Sequence, residues 1–88
     1  MDIRLFYKTQ RELAIAINTL IDAYWKSEVN EEVLIKSISE IYINNSFKFY
    51  KNDQFTTVLK QHCGKRRLDV VSRVLEMSRI RNTASINE

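Results

Sequence analysis

Cys63-Gly-Lys-Arg-Arg-Leu-Asp-Val-Val-Ser-Arg-Val-Leu-Glu-Met77 is the stretch whose reading decides the fold. Gly64 is the only glycine of the 88 residues, and there is no proline. A lone glycine between two periodic apolar segments marks a helix end, because glycine enters left-handed backbone at little cost. After it, Leu68, Val70, Val71, Val74, Leu75 and Met77 cover roughly half of a helical wheel. That arc is wider than one neighbour needs, and it predicts the most buried helix of a small bundle. Arg67 falls inside the arc, where an arginine needs a carboxylate or helix-end carbonyls within the fold. Lys65, Arg66 and Arg73 fall outside it.

Upstream, residues 2–7 alternate weakly and read as a short strand or extended arm. Thr9-Gln-Arg-Glu12 has capping-box spacing and opens a first helix that runs to about Lys26. Leu13, Ile17, Leu20 and Tyr24 form its buried face, which Ala14 and Trp25 widen. Ile15 projects among polar residues. Asn30, followed by Glu31 and Glu32, caps a second helix that buries Leu34, Ile38, Ile41 and Tyr42. Asn44-Asn45-Ser46 competes for backbone hydrogen bonds and is expected to stop or fray that helix. Phe47-Lys-Phe-Tyr-Lys51 alternates like a strand but fits an extra turn of helix or a packed connector equally, with Phe47 and Phe49 assigned to the core. Asn52-Asp53 caps a third helix carrying Phe55, Val58, Leu59 and His62 on one face and ending at Gly64. The fourth runs from Lys65 to Arg79.

The expected architecture is therefore all-α. It is a four-helix bundle-like domain over residues 1–80, with room for two very short strands at 3–7 and 47–51. Residues 81–88 have no periodicity and read as a frayed tail.

Composition narrows the function. Charged residues make up 28% of the chain and hydrophobic ones 44%, as in ordinary globular domains. No apolar run approaches the roughly 18–20 residues of a membrane span. One cysteine permits no internal disulfide, so a cytoplasmic setting is expected. His62 and Cys63 are adjacent and point about 100° apart on a helix, which suits neither joint metal chelation nor a nucleophile–base pair. The carboxylates are scattered, and one glycine draws no phosphate loop. Neither catalysis nor a cofactor is expected.

Helix, Gly64, helix invites a helix-turn-helix reading, but the steric pattern fails. Lys60 occupies the position that should be small, and Lys65 the one that should be apolar. The remaining functional signal is cationic. Lys60, Lys65, Arg66 and Arg73 are the candidate partner-binding residues, with Arg67 as a structural cation. The plainer alternative is a solvated face in which Asp69 pairs with Arg73 four residues on. The net charge of +3 permits nucleic-acid contact without arguing for it.

Three segments, Phe6-Tyr-Lys-Thr-Gln-Arg-Glu-Leu13, Leu20-Ile-Asp-Ala-Tyr24 and Val58-Leu-Lys-Gln-His-Cys-Gly-Lys-Arg-Arg-Leu68, carry a resemblance. With them the chain resembles a small uncharacterised family of Gram-positive bacterial proteins. The resemblance implies no activity and no site residues. Small proteins of this sort often lie near prophages and other mobile elements, which associates the chain with regulators and host-directed inhibitors. The expectation is a non-enzymatic protein that binds and modulates another macromolecule. A protein partner comes first, and nucleic acid contacted at the Gly64 turn is the alternative. A homodimer through the broad face of the fourth helix is a related expectation.

Overall fold

In the computed structural model, the backbone of residues 6–86 and the side chains of residues 6–78 are described. The order is α1 (Gln10–Trp25), α2 (Glu31–Phe49), β1 (Tyr50–Lys51), β2 (Gln54–Phe55) and α3 (Thr57–Ile86). The architecture is thus mostly helical, three helices and one two-stranded hairpin, with the expected third and fourth helices forming the two limbs of α3. Two helical limbs join at Gly64, whose φ of 78° and ψ of 169° interrupt α3. The glycine bends the helix without a loop, so the limbs count as one kinked element. Its second limb continues through residues 81–86, beyond Arg79 and into the expected tail. Residues there include neither glycine nor proline, and extending a formed helix is far easier than starting one.

Thr9 caps α1, its hydroxyl accepting from the Glu12 N–H at 3.1 Å. The helix ends with Ser27 in left-handed backbone at φ 62°. There the Ser27 N–H donates to the Tyr24 carbonyl and the Glu28 N–H to the Ala23 carbonyl. This is a Schellman closure with serine where glycine is usual. Asn30 then caps α2 through its carbonyl oxygen, which accepts from the Val33 N–H at 2.9 Å.

The asparagines bend α2 but do not stop it. Asn45 leaves helical geometry at φ −140°, ψ 25°, and the helix resumes to Phe49. Asn44 and Asn45 each donate a side-chain N–H to the carbonyl four residues back, of Glu40 and Ile41, at 2.8 Å. Fully buried Asn45 also accepts from the Tyr7 backbone N–H at 3.1 Å, which ties the N-terminal segment to the kink. Local competition for hydrogen bonds was real, and tertiary partners satisfied it within the helix.

The strand therefore starts at Tyr50, not Phe47, and pairs with residues 54–55. Residues 6 and 7 are not strand, and residues 3–5 lie outside the described residues. Asn52 and Asp53, at φ 54° and 65°, form the hairpin turn instead of a helix cap. Tyr50 stacks on Phe55 directly across the hairpin, with ring centroids 4.7 Å apart. The cap of α3 is Thr56, whose hydroxyl donates to the Lys48 carbonyl and accepts from the Leu59 N–H.

The core gathers around α1. Leu13, Ala14, Ile17, Leu20 and Ile21 are fully enclosed. Leu34, Ile38, Ile41 and Phe49 meet them from α2, and Leu59, Cys63, Leu68, Val71 and Val74 from α3. The expectation that the segment after Gly64 is the most buried was wrong. Val70 and Leu75 only border the core, and Met77 is exposed. All three helices pack on one another, and α1 contributes the largest set of fully enclosed side chains because α2 and α3 both cover it.

Candidate functional site

Breaking a helix at Gly64 removes partners from the carbonyls just before it. α1 supplies replacements. Asn18 Nδ2 donates to the His62 carbonyl at 2.8 Å. Arg67 Nη1 reaches the Cys63 carbonyl at 3.4 Å from one turn beyond the kink. The same guanidinium grips Asp22, with Nε and Nη2 donating to Oδ1 at 3.0 and 2.8 Å and Nη2 to Oδ2 at 3.1 Å. Asn18 and Asp22 lie four residues apart, hence on one face of α1, the face that meets the kink. The ion pair is about one-third exposed on each side. Arg67 thus serves the fold, holding the two limbs of α3 to α1.

Trp25 borders this joint, 44% exposed. Its ring lies 5.6 Å from the Arg67 guanidinium and 5.4 Å from that of Arg66. Sequence periodicity assigned Trp25 to the buried face of α1, but it sits at the last turn, where that face runs out of core. Lys60, Lys65, Arg66 and Arg73 are all exposed. Lys60 Nζ donates to Gln54 Oε1 at 2.9 Å, from the first turn of α3 to the second strand. Arg66 and Arg73 are seven residues apart and share a face, with Met77 continuing it. Among the described residues Asp69 and Arg73 form no ion pair, so the expected pairing is absent. Asp69 and Glu76 line the neighbouring stripe with Lys65.

Cys63, not His62, occupies the inner face of α3. His62 is exposed, whereas Cys63 is 3% exposed and its Sγ lies 3.8 Å from the Ala14 carbonyl. Burial pushes the thiol up to about 11, the nearby Arg67 charge pulling weakly the other way. Among the described residues no group of three His, Cys, Asp or Glu is placed to hold a metal ion.

A second surface escaped the sequence reading. Phe47, assigned to the core, is 68% exposed, while Phe49 is enclosed as expected. Between them Lys48 is buried, its ammonium 4.0 Å from the Phe47 ring centroid and 4.5 Å from that of Phe6. Ile43, one turn earlier on α2, is 70% exposed. The alternation of residues 47–51 pointed to a strand, and only helical geometry sends Phe47 outward beside Ile43. Helical spacing of Val33, Ile43 and Phe47 was the signal available.

The molecule is a small, mostly helical domain whose exposed chemistry is aromatic and cationic. Among the described residues no helix is long and apolar enough to cross a membrane. The chain belongs to a bacterial family described as a conserved hypothetical protein, whose model matches residues 4–76. No curated protein and no solved structure matches it.

Proposed function

We propose that this protein is a non-enzymatic interaction module that binds and modulates another macromolecule, a protein with an acidic contact surface. In this reading it acts as a regulator or inhibitor, of the kind that mobile elements and phages carry. The docking face is that of Trp25, Lys65, Arg66 and Arg73, with Lys60 at its edge. The observation that carries the reading is the half-exposed Trp25 ring against the Arg66 guanidinium. Tryptophan and arginine are the residues that most often dominate interface energies, and here they touch each other at the surface. Arg66 and Arg73 keep their donors for a partner, since no carboxylate claims them among the described residues. The positive surplus steers acidic partners toward the face. Asp69 and Glu76 interrupt the cations, which favours a protein over a nucleic-acid backbone.

Trp25 is the only tryptophan, so its emission reports on the proposed face. Proteins captured from the source cell are compared between the wild-type chain and its Trp25→Ala and Arg66→Ala variants, with Lys8→Ala as control. A partner that perturbs Trp25 emission and is lost only with the first two variants supports the reading. Capture insensitive to both defeats it. Titration with DNA or RNA at low salt that shifts Trp25 emission, with a steep salt slope shallowed by Arg66→Ala, replaces the protein partner with nucleic acid.

A further inference from the structure

The outward face of α2 carries a pattern that packing within one chain leaves unused. Val33, Lys36, Glu40 and Ile43 fall within roughly 80° of arc at 100° per residue, in the regular part of the helix before the Asn45 kink. Val33 and Ile43 are 42% and 70% exposed, large apolar groups with no cover. Among the described residues Lys36 and Glu40 form no ion pair. Their order along the helix, lysine before glutamate, is the poorer one for pairing within a helix.

The arrangement is symmetric about position 38. Val33 and Ile43 are equally far from it, and so are Lys36 and Glu40. Past the Asn45 kink, exposed Phe47 lies at the end of the same face. Glu32 mirrors Asn44. Within the regular helix the outward mirrored positions set apolar against apolar and cation against anion, Glu32 meets an amide, and no like charges coincide. Centring the symmetry on Lys36 or Glu40 instead would set a like charge against itself.

We propose that the outer face of α2 is a two-fold interface with a second copy of this chain, the two helices antiparallel and crossing level with Ile38. A two-fold axis makes each surface its own complement, so mirrored positions are the ones that meet. Val33 of one copy lies on Ile43 of the other, and Lys36 on Glu40, twice over. Phe47, the most exposed aromatic ring of the described residues, lies at the edge of this face beyond the kink. The homodimer thus forms through α2 rather than through the face after Gly64, whose residues Leu68, Val71 and Val74 are spent on the core. The interface is built on Val33, Lys36, Glu40 and Ile43 of α2, whereas the proposed docking face is built on α1 and α3, so the inference does not rest on the proposed function.

Sedimentation equilibrium of the full chain tests it, with circular dichroism confirming that every variant keeps its helices. The wild type is expected to dimerise with a Kd on the order of micromolar, as a small interface allows. Lys36→Glu or Glu40→Lys alone sets like charges against each other twice, and each weakens the dimer about tenfold or more. Combining the two recreates opposite charges in reversed order and restores the dimer. Phe47→Ser weakens it without touching the core. A wild type that stays monomeric at millimolar concentration overturns the proposal. So does a dimer indifferent to either charge reversal, or a double variant that remains as weak as the singles.

Discussion

Arg67 shows how one side chain joins two tasks. It caps a carbonyl freed by the kink and binds both oxygens of Asp22 on another helix. Arg67→Ala leaves the Cys63 carbonyl and the Asp22 carboxylate without it, and should cost about 1–2 kcal/mol of unfolding free energy, discounted because the pair is partly solvated. Arg66→Ala, one residue earlier and exposed, should change stability by no more than about 0.5 kcal/mol. Chemical denaturation of both variants, with Asp22→Ala completing a double-mutant cycle, checks this. Absence of coupling between positions 22 and 67 would refute the joint. Cys63 carries a pH signature. The unfolded thiol ionises near 9.0, whereas burial holds the folded one protonated to about 11. Above pH 9 the unfolded chain therefore releases a proton that the folded chain keeps, and unfolding is favoured. This contribution is complete below pH 9 and lost as pH rises to about 11. Tyr50, raised by burial and then by Tyr42, acts in the same direction from about pH 10 upward, so the comparison with Cys63→Ala isolates the thiol. Stability measured against pH should fall more shallowly from 9 to 11 in Cys63→Ala than in the wild type. Parallel curves would exclude the thiol as a source.

Among the elements, α3 depends most on a single backbone state. Gly64 sits at φ 78°, ψ 169°, a region that only glycine occupies freely. A methyl group placed there would touch nothing within 4 Å, so the penalty of Gly64→Ala is conformational rather than steric. It should amount to about 1–3 kcal/mol. Straightening the helix to escape that strain would pull the His62 carbonyl from Asn18 and Arg67 from Asp22. Thermal unfolding of Gly64→Ala checks the magnitude. A neutral effect would mean that the two limbs can reorient without loss. The glycine was readable from the sequence because only one residue type suits such a conformation. Whether it closed a helix before a turn, or bent one without a turn, was not readable. That depended on whether α1 could satisfy the freed carbonyls, a fact about residues more than forty positions away. At Asn45 a predicted end became a bend, with Ile41 supplying a partner within the helix and Tyr7 one from 38 positions away.

At the scale of the molecule, the centre of the fold is α1. Its five fully enclosed residues predict that the slowest-exchanging amides lie between residues 13 and 21. Hydrogen exchange that instead places the strongest protection in residues 68–75 would overturn this ranking. Ile17→Ala should cost about 2–5 kcal/mol, as large-to-small changes in tight cores do. The half-circumference apolar arc after Gly64 had pointed to that segment as the centre. A wheel measures how much apolar surface a helix offers, not how much its neighbours cover. With only three helices to pack, part of the arc stays at the border, at Val70 and Leu75, and Met77 reaches solvent.

By itself the sequence determined what is local. Helical periodicity, the caps at Thr9 and Asn30, and the break at Gly64 each rest on interactions within about four residues. The aliphatic core residues of α1 and α2 were legible for the same reason. The tertiary structure alone decided how the two limbs of α3 join and the outward turn of Phe47. It also decided the pairing of Arg67 with Asp22 and the exposure of Trp25 against Arg66. Each of these sets a backbone group or side chain against a partner distant in the chain, or leaves it without one. Such partners appear only when the helices are packed, because a lost hydrogen bond or an uncovered ring is a property of the assembled surface.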